Sequence, residues 1–376
     1  MILISVISLS KIYSQGKIKQ INEKRDSAKA LAVEQGKPWL SPIFAPAFTS
    51  DAGVVVTGGI LYSFKIDRND SISQRSSLPA SVFYSSRGNF GVRSNVKTFW
   101  FNDKFRVNLN LDLTDKDNNY FGKGYDKIDN TKRSDSITLY HETVTDLDVD
   151  VIYKIAPSLY AGLRLRPGYK NMRDAADSVE NDPYKSQFKN SYFLNSIGFQ
   201  VSYDTRDIVI NPWKGIFLNF SALFYNQAWA SDYNYQIYTF DSRYYRKLNR
   251  GGNVLAFRFY TRSTYGDVPI TELSDFSGGK YVRGYPLGKY RDNACALIVG
   301  EWRHTFFKKD KTQSKHGIVL WGGTSSIASD VGDMTKWLPN VGVGYRFELQ
   351  PRMNICIDFG VGDGSQGVYF NFNEAF

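Results

Sequence analysis

Side chains able to do covalent chemistry are few in this sequence and poorly placed for it. There are three histidines, His141, His304 and His316, and two cysteines, Cys295 and Cys356. A Ser-His-Asp site needs its serine and histidine converging on one wall, and these isolated histidines offer no such pairing. No GxSxG, P-loop, HExxH or CxxC spacing occurs. Two cysteines are too few for a disulfide framework or a structural zinc site, and the sequence leaves open whether they pair. The acidic stretches at 115–135 and 329–333 lack the ligand spacing of a calcium loop and read as solvated. These residues argue against an enzyme and require no metal and no cofactor.

The elements carrying those residues have a period of two. Phe105, Val107, Leu109, Leu111 and Leu113 share one face, and Arg106, Asn108, Asn110 and Asp112 the other. Leu147, Val149, Val151, Tyr153 and Ile155 oppose Asp148, Asp150 and Lys154, and Val341, Val343, Tyr345, Phe347 and Leu349 oppose Arg346 and Glu348. The composition agrees. The 25 Tyr, 26 Phe and 7 Trp against 4 Met suit strands and wet–dry boundaries better than a helical core.

Sixteen such segments can be drawn, at 43–48, 54–66, 79–85, 90–101, 105–114, 136–155, 159–170, 193–203, 216–227, 235–248, 254–265, 293–306, 317–326, 338–349, 354–362 and 368–376. The segment at 136–155 holds two strand-length pieces and is counted once. A soluble sandwich alternates in the same way. Here, however, charges of both signs recur on the polar face of strand after strand, and no wholly apolar strand or helix is left to fill a core. Apolar outside and polar inside, repeated in ten-residue segments, predicts an all-β fold: a transmembrane antiparallel β-barrel of about 16 strands.

No run of eighteen apolar residues exists, so no helix is expected to span a membrane. Residues 1–15 (MILISVISLSKIYSQ) read as the tail of a secretory signal peptide, with a cut near Ser14 or Gln15. Residues 16–40 form a short polar periplasmic lead-in, and 41–376 the barrel. With the start in the periplasm, the long connections at 115–135, 171–192, 266–292 and 327–337 face outward, whereas 102–104, 156–158 and 350–353 are short inner turns. The last segment sets Val368, Phe370 and Phe372 against Tyr369, Asn371 and Asn373 and runs to Phe376. Phe370, Phe372 and Phe376 are expected to form a C-terminal barrel signal. The 47 Lys and Arg exceed the 37 Asp and Glu by ten, but they are dispersed among acids rather than gathered on a patch. That excludes a nucleic-acid face and leaves lipopolysaccharide phosphates at the outer rim, or lumen acids, as partners.

One connection carries a family resemblance. Within residues 266–292, GDVPITELSDFSGGKYVRGYPLGKYRD, the run Val282-Arg283-Gly284-Tyr285 resembles the (V/I)RG(F/Y) tip of the sixth extracellular loop in the BamA/TamA superfamily, the bacterial surface antigen barrels. It follows the eleventh segment with five to come, as in the family. Tyr203-Asp204-Thr205-Arg206-Asp207 with Asn211-Pro212-Trp213-Lys214-Gly215, and Asn354-Ile355-Cys356-Ile357-Asp358-Phe359-Gly360, agree with it. The resemblance spans about residues 41–376. It implies that the loop folds back into the lumen, where its arginine pairs with wall carboxylates. By alternation Glu301 and Asp358 point inward and are the expected partners of Arg283, with Gly284 turning the tip and Tyr285 packing on the wall.

Two departures stand out. The thirteenth strand carries Val319-Leu320-Trp321-Gly322-Gly323 where the family often has an acidic FxDxG-like motif, and residues 16–37 cannot fold into a POTRA domain. The resemblance implies assembly, insertion or translocation of outer-membrane or surface proteins, with client proteins or other assembly subunits as partners. The competing expectation is a passive channel or transporter for small solutes.

Overall fold

The computed structural model describes residues 27–29, 31–49, 53–131, 134, 136–278 and 281–376, with side chains 45–49 left aside. The signal-peptide expectation at 1–15 lies outside the described residues, as does most of the lead-in.

Sixteen strands pair in sequence order into one antiparallel sheet. They are β1 (Trp39–Thr49), β2 (Gly53–Phe64), β3 (Ser76–Ser85), β4 (Phe90–Trp100), β5 (Phe105–Asn119), β6 (Leu139–Ala156), β7 (Leu159–Arg173), β8 (Ser191–Asp204), β9 (Gly215–Tyr225), β10 (Tyr235–Lys247), β11 (Asn253–Gly266), β14 (Ala294–Phe307), β15 (Gln313–Ala328), β16 (Leu338–Gln350), β17 (Met353–Gly362) and β18 (Ser365–Phe372). A two-residue ladder of β12 (Ser274–Asp275) with β13 (Arg291–Asp292) lies in the connection between β11 and β14. The stretch read as two pieces at 136–155 is one strand of 18 residues, paired with β5 on one side and β7 on the other.

The alternation becomes two surfaces. Leu163, Leu165, Ile197, Phe199, Val201, Phe257, Phe259, Val341, Val343, Ile357 and Phe359 are exposed on the outside. An apolar exterior of this extent is unsustainable in water and suits hydrocarbon. No helix among the described residues is long and apolar enough to cross a membrane, so the strands do the crossing. Closing the backbone hydrogen bonds between strands lets them lie in lipid. The inner face holds the charges, paired across neighbours: Asp148 with Arg164 (2.5 Å) and Asp241 with Arg258 (2.8 Å).

The barrel is not zipped shut. β1 and β18 are the two ends of the sheet order and share no hydrogen-bonded ladder. At one end of this seam Ile43, Leu61 and Met353 form a small apolar cluster that Phe372 joins. There the Gln350 amide donates to Ser41 Oγ and the Leu61 carbonyl (both 3.0 Å), and Ser63 Oγ donates to its Oε1 (2.6 Å). Side chains, not backbone, hold the edges together.

The last strand ends at Phe372, four residues short of its expected limit. Asn373 adopts φ 63°, and the chain turns into the lumen. Phe370 and Phe372 remain half-buried on the outer face, packed edge to face (5.4 Å), whereas Phe376 is buried inside against Arg303 (5.0 Å) and Tyr245 (6.4 Å). Of the three residues of the expected C-terminal signal, Phe376 thus parts from the other two, because Arg346 and Arg303 draw Glu374 inward. In hydrogen exchange, amides along the free edges of β1 and β18 are expected to exchange while those of β6 and β7 stay protected; uniform protection around the sheet would mean a closed barrel.

Candidate functional site

The connection at 267–293 does not stand off the barrel. It enters the lumen as a hairpin, joined by β12 and β13 and by the Val282 amide donating to the Phe276 carbonyl (2.9 Å). Its own aromatics give it a small core: Phe276 stacks on Tyr290 (5.3 Å), and Tyr285 meets both edge to face (5.8 and 5.5 Å).

The tip Val282-Arg283-Gly284-Tyr285 rests on the wall of β14 to β18, and all four residues are buried or nearly so. Arg283, 1% exposed, donates Nη1 to Asp358 (2.7 Å) and Nη2 to Glu301. Its guanidinium lies over the Trp321 ring at 3.6 Å. On the strand where the family often has an acid, this chain therefore presents an aromatic face, which attracts the cation without adding another charge. Gly284 has φ 118°, a conformation that side chains resist, and its N–H donates to Tyr369 Oη (2.9 Å). Tyr285 donates its hydroxyl to the Pro339 carbonyl (2.5 Å) and accepts from the Asp363 amide (3.0 Å). Gly360 lets the tip approach, since a Cβ there would lie 2.7 Å from the Arg283 carbonyl carbon.

Glu301 and Asp358 each serve a second arginine. Glu301 accepts from Arg303 (2.9 Å) and Asp358 from Arg346. Both arginines converge on Glu374, at 3.9 Å from Arg303 and 2.8 Å from Arg346. The result is a closed ring, Arg283–Glu301–Arg303–Glu374–Arg346–Asp358, of three cations alternating with three anions. Burial raises the Glu374 carboxyl, but Arg346 and then Arg303 outweigh it and hold the group below its ordinary range. Sequence reasoning named Arg283, Glu301 and Asp358. Arg303 shares the inward parity of Glu301 and could have been added on that ground. Glu374 belongs to no strand, and no pattern points to it.

The Tyr203–Asp207 stretch builds a second feature, at the short-turn end. Asp204 accepts from Arg106 (2.7 Å) and Arg206 (2.8 Å). From there residues 205–214 cross the mouth. Val209 N–H donates to Gln74 (2.7 Å), Ile210 packs on the seam cluster, and Asp207 pairs with Arg352 (3.0 Å), whose guanidinium stacks on Trp213 (3.6 Å).

A charge-paired arginine loop inside sixteen strands is the geometry to compare with known proteins. The Omp85 superfamily domain matches residues 68–333. The chain belongs to the Omp85 superfamily. Among solved structures, BamA from Haemophilus ducreyi lacking POTRA domains 1-3 superposes with a TM-score of 0.56 at 15% identity, over 89% of this chain and 69% of that one. CdiB from Acinetobacter baumannii gives 0.52 at 11% identity over 90% and 65%, and CdiB from Escherichia coli 0.50 at 10% over 89% and 61%. At such identities the likeness is one of fold. The Omp85 chain described here spans between 61% and 69% of those chains' lengths. No curated protein sequence is significantly similar to it.

The three histidines do not come together in this Omp85 barrel. His141 lies between Asp115 (3.1 Å) and Asp117 (3.0 Å), His304 beside Arg250 (3.2 Å), and His316 against Tyr345. No group of three metal-ligating side chains occurs among the described residues. Cys295 and Cys356 are both buried and unpaired.

Two outcomes follow from the charges. Arg283→Ala leaves Glu301 and Asp358 buried with less compensation, and urea unfolding of the folded barrel should register a loss of about 3–5 kcal/mol. Arg283→Lys, whose point charge cannot span both carboxylates, should fall between; an unchanged midpoint in both would remove the ring from any structural role. For the strap, burial raises the Asp207 carboxyl, but Arg352 outweighs it and the group stays below its ordinary range. A depressed folded value means that the pairing stabilises above the ordinary carboxylate range and is lost as pH falls through the folded value. Proteolysis at residues 208–212 should therefore rise only below about pH 4, and at neutral pH in Arg352→Ala.

Proposed function

We propose that this Omp85 barrel acts in the assembly, insertion or translocation of outer-membrane or surface proteins, using the unzipped seam between β1 and β18. The observation that carries the reading is the combination of an open seam with a loop pinned inside the lumen. A strand edge with free N–H and C=O groups templates an incoming strand through backbone hydrogen bonds. The clients are then proteins with β-strands to pair, and the working surface is lateral, toward the bilayer. The resemblance read from Val282–Tyr285 points the same way, as does membership of the superfamily.

Residues 282–285 act in this reading as a plug held by the charge ring, not as a substrate site. A passive channel, the competing function, needs a continuous aqueous path. The inward loop, the tail at Asn373–Phe376 and the strap at 205–214 all occupy the route such a path would take. In the outer membrane the long connections would face outward and the strap the periplasm, where client or subunit contacts would form.

Two measurements on the full chain test this. Planar-bilayer conductance should be closed or flickering for the wild type and open for Arg283→Ala; a steady open pore indifferent to the change would favour the channel. Cysteines at positions 43 and 372, introduced with Cys295 and Cys356 replaced by alanine, can be bridged by a bis-maleimide. Bridging should abolish the protein's support of outer-membrane barrel biogenesis in cells depleted of the wild-type copy. Biogenesis that continues at full rate with the seam bridged would sink the lateral mechanism.

A further inference from the structure

The tip of the 267–293 connection is not the only part of it that brings a charge to the wall. Its root carries Glu272, 3% exposed, on the other side of the lumen. Glu272 accepts from Arg166 at 2.8 and 3.1 Å, with Arg262 at 3.5 Å and Lys170 at 3.9 Å. Arg166 also donates to Asp146 (3.0 Å) and to Tyr225 Oη (3.2 Å), so the wall holds its fork as well as the loop does. Arg291, at the return of the same loop, donates to Tyr140 Oη (3.1 Å) and reaches Asn118 (3.4 Å). Thr271 Oγ1 lies 2.8 Å from Tyr192 Oη.

The strand order turns these contacts into a position. Arg166 stands on β7, the seventh strand, and Asp358 on β17, which is fifteenth of the sixteen in the sheet. In a sixteen-strand barrel, strands eight apart face each other across the diameter. The loop thus leaves β11, is gripped by β5 to β8 through its root, and is gripped by β14 to β18 through its tip. We propose that Glu272 is a second positioning residue, of opposite charge to Arg283, and that the loop is a two-pin strut tying the seam-bearing wall to the wall facing it. Either pin holds its own half. Loss of the Arg283 pin alone loosens the tip and opens a path along β14 to β18, whereas loss of both frees the whole loop from the lumen. This rests on the reading of the loop as a plug, but the strut is a statement about loop order and can be read without conductance.

Each pin has a distinct signature in hydrogen exchange of the full barrel in nanodiscs. Glu272→Gln takes one carboxylate from Arg166 and Lys170 and leaves them Asp146 alone. Protection of the amides at 267–275 should fall about tenfold, while those at 281–285 keep theirs. Arg283→Gln should do the reverse. The double variant should lose protection throughout, and its conductance should exceed the sum of the two singles. Glu272→Asp, which keeps the charge, should restore part of the root protection, an effect that lost packing alone does not give. If Glu272→Gln leaves 267–275 as protected as before, or if either single change frees root and tip together, the strut is wrong. Those results would leave the plugged lumen standing, whereas a steadily conducting wild type would remove the plug and leave the exchange pattern to decide the strut.

Discussion

A carboxylate buried without a cation is among the costliest things a barrel lumen can hold. Glu301 and Asp358 are both at most 2% exposed, and the wall gives each a single arginine, Arg303 and Arg346. Arg283 answers both at once, which is why the connection has to come inside. The wall contributes Arg303 and Arg346, and the inward tail contributes Glu374, so that the ring closes with no net charge. The kink at Asn373, the glycine at 360 and the tyrosine hydroxyls around residues 284 and 285 are conditions for that ring to form. Such a ring selects one arrangement of loop, wall and tail; its net contribution to stability need not be large.

The inner half of the molecule then reads as a set of ties between strands that the sheet does not join. Backbone ladders connect each strand only to its neighbours. Charges connect β6 and β7 to the loop root through Arg166, and β14 to β17 through Glu301 and Asp358. At the short-turn end the Asp207–Arg352 pair and the Gln74 contact carry residues 205–214 from β8 and β9 to the strands beside the seam. A sheet of this width with an unpaired seam has little else to keep its shape, and guanidinium groups, with their fixed fork of donors, are suited to the task.

Most of the fold was legible because a barrel writes its two environments onto alternate residues. Phe257 and Phe259 had to face out, and Arg258 in, for any register to make sense, and all sixteen segments lie where that rule puts them. The site was legible where parity and motif met, at Arg283, Glu301 and Asp358. It was illegible where chain direction changes without a period. Nothing in Asn373-Glu374-Ala375-Phe376 distinguishes a continuing strand from an inward turn, since Phe376 has the parity of Phe372 and only the arginines of other strands decide its side. Likewise Glu272 lies in an irregular run, and the β7 arginine that receives it is more than a hundred residues away.

The seam shows the same economy of donors. Pro42 and Pro46 are four residues apart, so both lack an N–H on the same side of β1, while the pairing of β1 with β2 runs unbroken through them. A proline is tolerated in a strand when its nitrogen faces the open edge, so the missing donors fall on the side toward β18. The turn at Asn373 shortens the opposite edge. Neither strand can therefore complete a ladder with the other. What keeps the two edges adjacent is the Gln350 amide, the Ile43 cluster and the strut behind them, contacts that can be released without breaking a single rung of the sheet.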